Sequence, residues 1–473
     1  MCLICRFSRA LAFSEVNWAS HYLPHIMTEV QSPLVSSYLP SDDPLRRTLH
    51  NEVHARPQAR IRMPALVVYV AVINEGVSRE QECEHLRQLP GQQDLGLERM
   101  QGNFLRLRLE GYTLKWERHS EFTRYSLVLP LPDQALLGAS EPHLPEFLQL
   151  PPQWLRSIPG RTIAAIQVVM VHGDLGDMEG TLERAQQGFG EHPIVASVMG
   201  RGGHSLVLTD FMLRDSGFER MLVIAPTGTP QTRAGRISQR LLELETYRLM
   251  ALRGLPVAKE LAPMLGASET ELAEITGRLE NKSAADQDLL DALVSLSARV
   301  ERATAAHMYR FSATRAYEAL VLQRIAELRE ATIPGFQTLG EFMQRPLSPA
   351  MATVAATAQR LTSLSERVAR ASALLRTRVD IATELQNQQL LAKLTRGQEM
   401  QLHLQTTVEG LSIAAISYYV VSLLLYGAKA LKATGLPVNP EVAVGALIPV
   451  ILWAVWSATR RIHKSVTALT HQP

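Results

Sequence analysis

The hydrophobic pattern is strongest near the C-terminus, where two apolar stretches without a charged residue cover residues 411–428 and 442–459. Each has about the 17–25 residues that a helix needs to cross the hydrocarbon core of a bilayer. A short polar loop separates them, so the pattern predicts a transmembrane hairpin. Lysine and arginine beside such spans favour the cytoplasmic side. We therefore expect both termini in the cytoplasm, because basic residues flank the hairpin on its outer sides: Lys393, Arg396, Arg460, Arg461 and Lys464.

Before residue 231, short β-type runs alternate with amphipathic helical segments, which is typical of an α+β domain. A β-branched run at 65–73 predicts a buried strand, and three alternating segments between residues 104 and 129 predict an antiparallel meander. A proline-rich linker, 130–159, precedes four more predicted strands, at 162–172, 194–198, 206–210 and 220–225. Residues 41–230 are therefore expected to form an α+β cytoplasmic body with a mixed or antiparallel sheet.

From residue 231 to residue 405, apolar residues recur at helical spacing. One amphipathic helix is expected to end at Gly254 and Pro256, and a long one to cover residues 285–331. Pro346 and Pro349 predict a break before the next helix. That helix carries a heptad seam, which predicts a coiled-coil-like stalk leading into the first membrane span and joining copies of the chain into a homo-oligomer. The seam consists of Val354, Leu361, Val368, Leu375 and Ala382.

Residues 1–40 precede the first regular pattern and lack the sustained apolar run of a secretory signal. We expect a disordered or over-annotated leader, with Met27 as an alternative start.

Composition narrows the function only slightly. The net charge of +2 gives no electrostatic reason to expect nucleic-acid binding. Three cysteines imply no disulfide framework and fit a reducing compartment. The chain contains no nucleotide-binding, kinase or α/β-hydrolase motif. The sequence therefore favours a protein that is not an enzyme, and it identifies no cofactor.

Two clusters of ionisable residues are candidates for ligand binding. The stretch SDDPLRRTLHNEVHARP begins with helix-start signals and carries the first cluster, and WERHSEF carries the second at alternating positions on one face of an extended segment. Surface hydrogen bonding and a solvated strand face explain these residues most simply, and a metal or anion site is the alternative. A shared site requires both clusters to converge in one pocket. The residues concerned are His50, Glu52, His54 and Arg56, and Glu117, His119 and Glu121.

Five motifs together resemble an uncharacterised bacterial family of membrane-anchored proteins that is classed as a domain of unknown function. They are DPLRRTLHNEVHARP, WERHSEF, TDF at 209–211, ELETYRLMALRGLP and EGLSIAAISYYVVSLLLYGAKAL. The resemblance covers nearly everything after residue 40. It implies a bacterial inner-membrane protein whose bulk faces the cytoplasm, and it supplies no activity.

The architecture also resembles that of the CorA-type magnesium channels, in which an α/β domain and long helices lead into two spans and a basic tail. The first span of that family ends in Tyr-Gly-Met-Asn, whereas Tyr426 and Gly427 are followed here by Ala428 and Lys429. Lys429 would oppose a cation at the mouth of a pore. The resemblance implies an oligomeric channel whose first spans line a pore with Ser412, Ser417 and Ser422.

Three functions follow from these observations. The first is binding or scaffolding at the bacterial inner membrane. The second is an oligomeric ion channel or transporter on the CorA plan, without the usual selectivity motif. The third is a ligand or metal sensor that uses the two ionisable clusters.

Overall fold

The computed structural model describes residues 43–52, 59–132, 150, 152–200, 202–281, 285–433 and 439–469, and it confirms the α+β fold class. Eight strands form one sheet. The leader at residues 1–40 lies outside the described residues. The strands are β1 (Ala65–Ile73), β2 (Phe104–Leu109), β3 (Tyr112–Arg118), β4 (Phe122–Pro130), β5 (Arg161–His172), β6 (Val195–Met199), β7 (Ser205–Thr209) and β8 (Glu219–Ala225).

The sheet is mixed, with the strand order β2-β3-β4-β1-β5-β8-β7-β6. Only β5 and β8 pair in parallel, and all other neighbours are antiparallel. The predicted meander is confirmed as β2, β3 and β4. Strands β1 and β5 lie side by side at the centre, so the segments before and after the predicted linker share one sheet. Every residue of β1 is buried, because both faces of the sheet are covered.

Three short helices cover one face of the sheet: α2 (Arg79–Arg87), α3 (Pro152–Arg156) and α4 (Met178–Gln186). Helix α2 begins with a capping box. The Ser78 side chain accepts a hydrogen bond from the Gln81 amide, and the Gln81 side chain accepts one from the Ser78 amide. An earlier short helix, α1 (Arg46–Glu52), precedes the sheet in the chain.

Long helices follow the sheet in the chain, and the first of them cover its other face. They are α5 (Gln231–Leu252), α6 (Gly254–Glu280), α7 (Asp286–Leu328), α8 (Leu339–Ala433) and α9 (Pro440–Leu469). Helix α5 packs on β1 and β5, α7 packs on α5, and α8 packs on α6 and α7. A buried hydrogen bond of 2.8 Å joins the Tyr69 hydroxyl to Thr246 and fixes α5 to the sheet.

One proline-based prediction was wrong. Helix α8 begins at Leu339 and runs through Pro346 and Pro349 without a break. A capping box of Thr338 and Glu341 starts it, and its buried apolar positions hold the early turns in place. The predicted helix end at Gly254 and Pro256 is confirmed to within two residues, because α5 ends at Leu252; after Arg253, α6 begins at Gly254. Pro256 lies in the first turn of α6, where its missing N–H costs no hydrogen bond.

Most of the predicted heptad seam of α8 is buried within the chain, whereas its last member, Ala382, is exposed. Val354, Leu361, Val368 and Leu375 are at most 3% exposed, against α6 and α7. Arg378 still binds Asp286 and the Leu279 carbonyl, but from residue 380 to residue 410 the helix continues alone and its residues are almost all exposed. At 1.5 Å per residue the 95 residues of α8 extend about 140 Å.

The C-terminal part of α8 and the segment Pro440–Arg461 of α9 are each long and apolar enough to cross a membrane. Their apolar windows are only 6% and 11% buried by the rest of the chain. Length, composition and exposure together favour membrane association.

Candidate functional site

A cavity of about 70 Å³ lies between one face of the sheet and the first turns of α5. We call it the sheet cavity. Its floor is formed by the helix-facing side chains of β1 to β4, and its wall by residues 59–61 and α5. Its lining includes the charged residues Arg60, Arg106, Lys115, Glu117 and Arg124, together with Gly235.

Residues 59–61, which we call the strap, are bound directly to α5. The Ile61 amide donates a 3.0 Å hydrogen bond to the carbonyl of Gln231. A Cβ atom on Gly235 would lie 2.0 Å from the Ala59 carbonyl oxygen and 2.5 Å from its carbon. Only glycine therefore permits this approach of two backbones. The strap closes the sheet cavity because position 235 has no side chain.

A chain of buried ion pairs joins the sheet to the helices behind the cavity. Lys115 Nζ lies 3.1 Å from Glu117 Oε2, and the same carboxylate accepts a short hydrogen bond from Arg124 Nε. Arg124 Nη1 also donates to Glu243 Oε1 on α5 at 3.2 Å. Arg324 Nε on α7 completes the chain with a 2.7 Å hydrogen bond to Glu243 Oε2. Strands β3 and β4 are thereby linked through α5 to α7.

The charges in this chain stabilise one another. Burial alone raises the pKa of Glu117, but Arg124 and Lys115 outweigh it and bring the pKa down to about 2. Burial likewise opposes ionisation of Glu243, yet the same arginine and Arg324 lower its pKa. Both carboxylates are therefore ionised throughout the physiological pH range. Burial lowers the pKa of Lys115, and Glu117 partly offsets that effect.

The sheet cavity has more positive than negative groups. Arg60, Arg106, Lys115 and Arg124 line it, against the single carboxylate of Glu117. Arg106 lies directly opposite Lys115 in the β2–β3 register, and like charges across strands are destabilising. Among the described residues, the buried Glu117 Oε1 atom has no hydrogen-bond partner. The cavity thus suits a small anion that also carries a donor group.

The three predicted residues of WERHSEF do not lie on one extended strand. Strand β3 ends at Arg118, so the chain turns before Glu121. Glu117 faces the sheet cavity, whereas Glu121 forms a bidentate ion pair with Arg310 of α7 at 2.8 and 2.9 Å. His119 stacks on Phe122 with ring centroids 4.5 Å apart. In the part of the chain that the structure describes, no group of three His, Cys, Asp or Glu residues is placed to hold a metal ion.

The first predicted cluster is described only in part. His50 is exposed on α1, and the backbone of Glu52 ends that helix. His54 and Arg56 lie outside the described residues, so the predicted convergence of the two clusters stays a prediction. The chain is described again from Ala59, which already belongs to the wall of the sheet cavity beside Glu117. The HNEVHARP motif therefore leads directly into the strap.

Sequence reasoning missed Lys115, Arg124, Glu243 and Arg324. Two signals point to them in retrospect. Lys115 and Arg124 occupy strand positions that face the helices rather than water. Glu243 lies between Leu242 and Leu244 on a helix whose neighbouring positions are buried. Charges at such positions require partners, because isolated buried charges are costly.

The predicted pore residues lie on different sides of α8. Ser412, Ser417 and Ser422 are five residues apart, so successive members are rotated by about 140° on a helix with 3.6 residues per turn. Ser417 is buried, Ser412 is exposed and Ser422 is intermediate. Tyr426 and Gly427 are exposed near the end of α8. At this spacing one helix face holds at most two of the three serines, and the pore lining itself stays a prediction.

A second buried charged cluster lies at the other end of α5. The carboxyl groups of Glu219 on β8 and Glu245 on α5 are hydrogen-bonded to each other. Arg248 binds Glu245, with Nε donating to Oε2 at 2.8 Å. Burial, reinforced by the charge of Glu245, raises the pKa of Glu219 to about 8. The pair therefore holds a proton at neutral pH that the unfolded chain has released.

This pair predicts a pH dependence of stability. The pKa of Glu219 rises from an ordinary 4.5 to about 8 on folding, so the native state binds more protons between these values. The free energy of unfolding should consequently fall as the pH rises from 4.5 to 8. Glu219→Gln mimics the protonated form and should be more stable than wild type at pH 8.5 by up to about 4–5 kcal/mol, with little difference at pH 4.5. Urea unfolding at both pH values measures this, and a constant difference would contradict it.

The family model described as "Protein of unknown function (DUF3422)" matches residues 41–466, which is most of the chain. No curated protein matches the sequence.

Proposed function

Because the chain belongs to the DUF3422 family, whose function is unknown, we propose from its own geometry that it is a membrane-anchored binding protein for a small organic anion. The observation that carries the proposal is the sheet cavity, where four cationic side chains surround one carboxylate. A binding function requires no catalytic residues, and the sequence contains none of the usual catalytic motifs.

The position of the cavity supports a sensing form of binding. Glu117 and Arg124 line the cavity and also belong to the ion-pair chain that reaches Glu243 and Arg324. An anion beside Arg106 and Lys115 would compete with Glu117 for the charge of Lys115. Anion binding in the sheet cavity would thus alter the ion-pair chain that spans β3, β4, α5 and α7. Helix α7 packs on α8, which leads to the apolar segments.

Membrane anchorage is the second part of the proposal. The exposed apolar helices fit a hairpin in the bacterial inner membrane, with both termini and the α+β body in the cytoplasm. The basic residues beyond the second span support this orientation. The lone part of α8 would then hold the body away from the bilayer.

Thermal unfolding of the full-length protein in lipid nanodiscs tests the binding proposal. A panel of small carboxylates (acetate, succinate, malate, citrate and glutamate) is added to wild type, Arg106→Gln and Arg108→Gln. Both arginines lie on β2 at alternate positions, but only Arg106 lines the cavity. At least one anion should raise the unfolding midpoint of wild type and of Arg108→Gln, and should do so much less for Arg106→Gln. Equal shifts in both variants, or none in wild type, would contradict the proposal.

A CorA-like oligomeric channel is the second candidate, and one observation favours it. Leu390, Leu394, Leu404, Val408 and Leu411 lie on one heptad frame of the lone part of α8, which Gly397 and Gln401 interrupt, and all five are more than half exposed. Such a seam suits a parallel homo-oligomer. Native mass spectrometry of the nanodisc-purified protein decides between the candidates. A ring of about five copies would favour a channel, whereas a monomer or dimer leaves too few helices to surround a pore.

A further inference from the structure

A second cavity, of about 340 Å³, lies between the start of α5, the end of α7 and the β6–β7 hairpin. It is separate from the sheet cavity, with which it shares no lining residue. We call it the arginine cleft. Its charged and titratable lining residues are Arg233, Arg236, Arg240, Glu327, Arg329 and His204.

The arginines converge because of the helix period. Arg233, Arg236 and Arg240 are three and four residues apart, so they project from one face of α5. Arg329 enters from the opposite wall, where α7 ends in a left-handed residue with φ of 53°. Like charges at this spacing destabilise a helix. Apolar residues, or charges of both signs, would destabilise the helix less at these positions.

The walls of the cleft are fixed to each other. The Gly200 amide donates to the Leu328 carbonyl at 3.1 Å, and Val198 forms an antiparallel bridge with Ala331. Strand β6 and Gly200 are thereby held against the end of α7.

Most of the positive charge is uncompensated. Arg240 pairs with the one carboxylate in the lining, with its Nε 3.3 Å from Glu327 Oε2, and Arg324 shares that carboxylate. Arg233, Arg236 and Arg329 are exposed and form no ion pair within the described residues. Burial and the nearby Arg233 lower the pKa of His204, which keeps its ring available as a neutral hydrogen-bonding group.

We propose that the arginine cleft binds a soluble ligand through a diphosphate or triphosphate group. Guanidinium groups bind phosphate oxygens in bidentate fashion, and several converging arginines match a multiply charged phosphate better than a single carboxylate. The volume of 340 Å³ leaves room for an organic moiety beside the phosphates.

The length of α8 places the cleft too far from the anchoring membrane for its lipid headgroups to be the ligand. The cleft lies at the level where α8 begins, because the Leu339 amide donates to Ser197 Oγ on β6 at 2.9 Å. The first apolar segment begins near residue 411, about 110 Å further along the helix axis at 1.5 Å per residue. Screening at physiological salt limits electrostatic attraction to about 10 Å. The phosphate must therefore come from solution.

Calorimetric titration of inorganic pyrophosphate into the full-length protein in neutral nanodiscs tests the proposal. We expect saturable binding that Arg236→Gln weakens by roughly tenfold or more, since it removes a charge-assisted contact. The matched control is Arg302→Gln, which removes an exposed arginine from α7 about 40 Å from the cleft along the helix axis. This control and Arg106→Gln should leave the pyrophosphate affinity unchanged, which separates this site from the sheet cavity.

Three outcomes would overturn the proposal. One is the absence of pyrophosphate binding to wild type, and another is equal affinity in wild type and Arg236→Gln. The third comes from co-sedimentation with phosphatidylglycerol vesicles. Arg236-dependent vesicle binding without pyrophosphate binding would assign the cleft to a lipid headgroup instead.

Discussion

Replacing Gly235 with alanine should detach the strap from α5. The new Cβ would lie 2.0 Å from the Ala59 carbonyl oxygen, and backbone atoms cannot move aside as a flexible side chain can. The 3.0 Å hydrogen bond from the Ile61 amide to Gln231 should break with it. Trypsin cleaves locally unfolded backbone, so cleavage after Arg60 and Arg62, whose side chains are exposed, should report release of the strap. We therefore expect cleavage at these arginines to accelerate by roughly tenfold or more, the change that about 1.4 kcal/mol of lost local stability produces.

The control for this variant is Gly266→Ala in α6. Position 266 has no heavy atom within 4 Å of an added Cβ. Alanine in an open helical position stabilises a protein by about 0.5–1 kcal/mol relative to glycine. The two substitutions, identical in chemistry, should thus act in opposite directions. Equal trypsin cleavage rates at the strap in wild type and Gly235→Ala would show that the close approach does not hold it.

Replacing Arg124 with methionine should destabilise the protein more than any single change at an exposed ion pair. The side chain of Arg124 is 4% exposed and lies between the carboxylates of Glu117 and Glu243. Its removal leaves two buried carboxylates with only Lys115 and Arg324 to compensate them. Removing one partner from a buried ion pair typically costs about 3–5 kcal/mol. Urea unfolding of the full-length protein at pH 7 measures the loss.

Arg161→Met is the matched control, because Arg161 pairs with Glu75 at 3.1 Å while both side chains are about three-quarters exposed. Solvent screens such a pair, so its loss should change the free energy of unfolding by less than about 1 kcal/mol. Similar losses in the two variants would mean that the buried chain of ion pairs does not join sheet and helices as described.

Local periodicity was sufficient to predict most of the fold. The strands β1 to β8 lie within two residues of the predicted bounds because each carries a β-branched or alternating run between turn signals. Prolines misled the helix predictions. Pro346 and Pro349 act as breakers only where packing does not compensate, and here buried Met343, Leu347 and Met351 hold the helix on both sides of them. Tertiary packing is not visible in a single sequence.

The candidate site was predicted less completely. Glu117 was identified from its motif, but its partners come from elements that are distant in sequence, and Glu243 is 119 residues away from Arg124. The direction of a side chain at a strand end also depends on where the strand stops. Glu121 lies beyond the end of β3, so it pairs with Arg310 of α7 and does not continue the strand positions of Glu117. The heptad seam of α8 was located correctly, but its periodicity could not distinguish packing within the chain from packing between copies.

The proposal depends most on one point, that the sheet cavity binds a small anion beside Arg106 and Lys115 in competition with Glu117. The dissociation constant of the carboxylate with the largest thermal shift is measured for wild type, Arg106→Gln and Glu117→Gln in nanodiscs. We expect Arg106→Gln to weaken binding by roughly tenfold or more, because a charge-assisted contact is lost, and Glu117→Gln to strengthen it, because the competing carboxylate is gone. Unchanged affinity in Arg106→Gln, or weaker binding in Glu117→Gln, would contradict the proposed site.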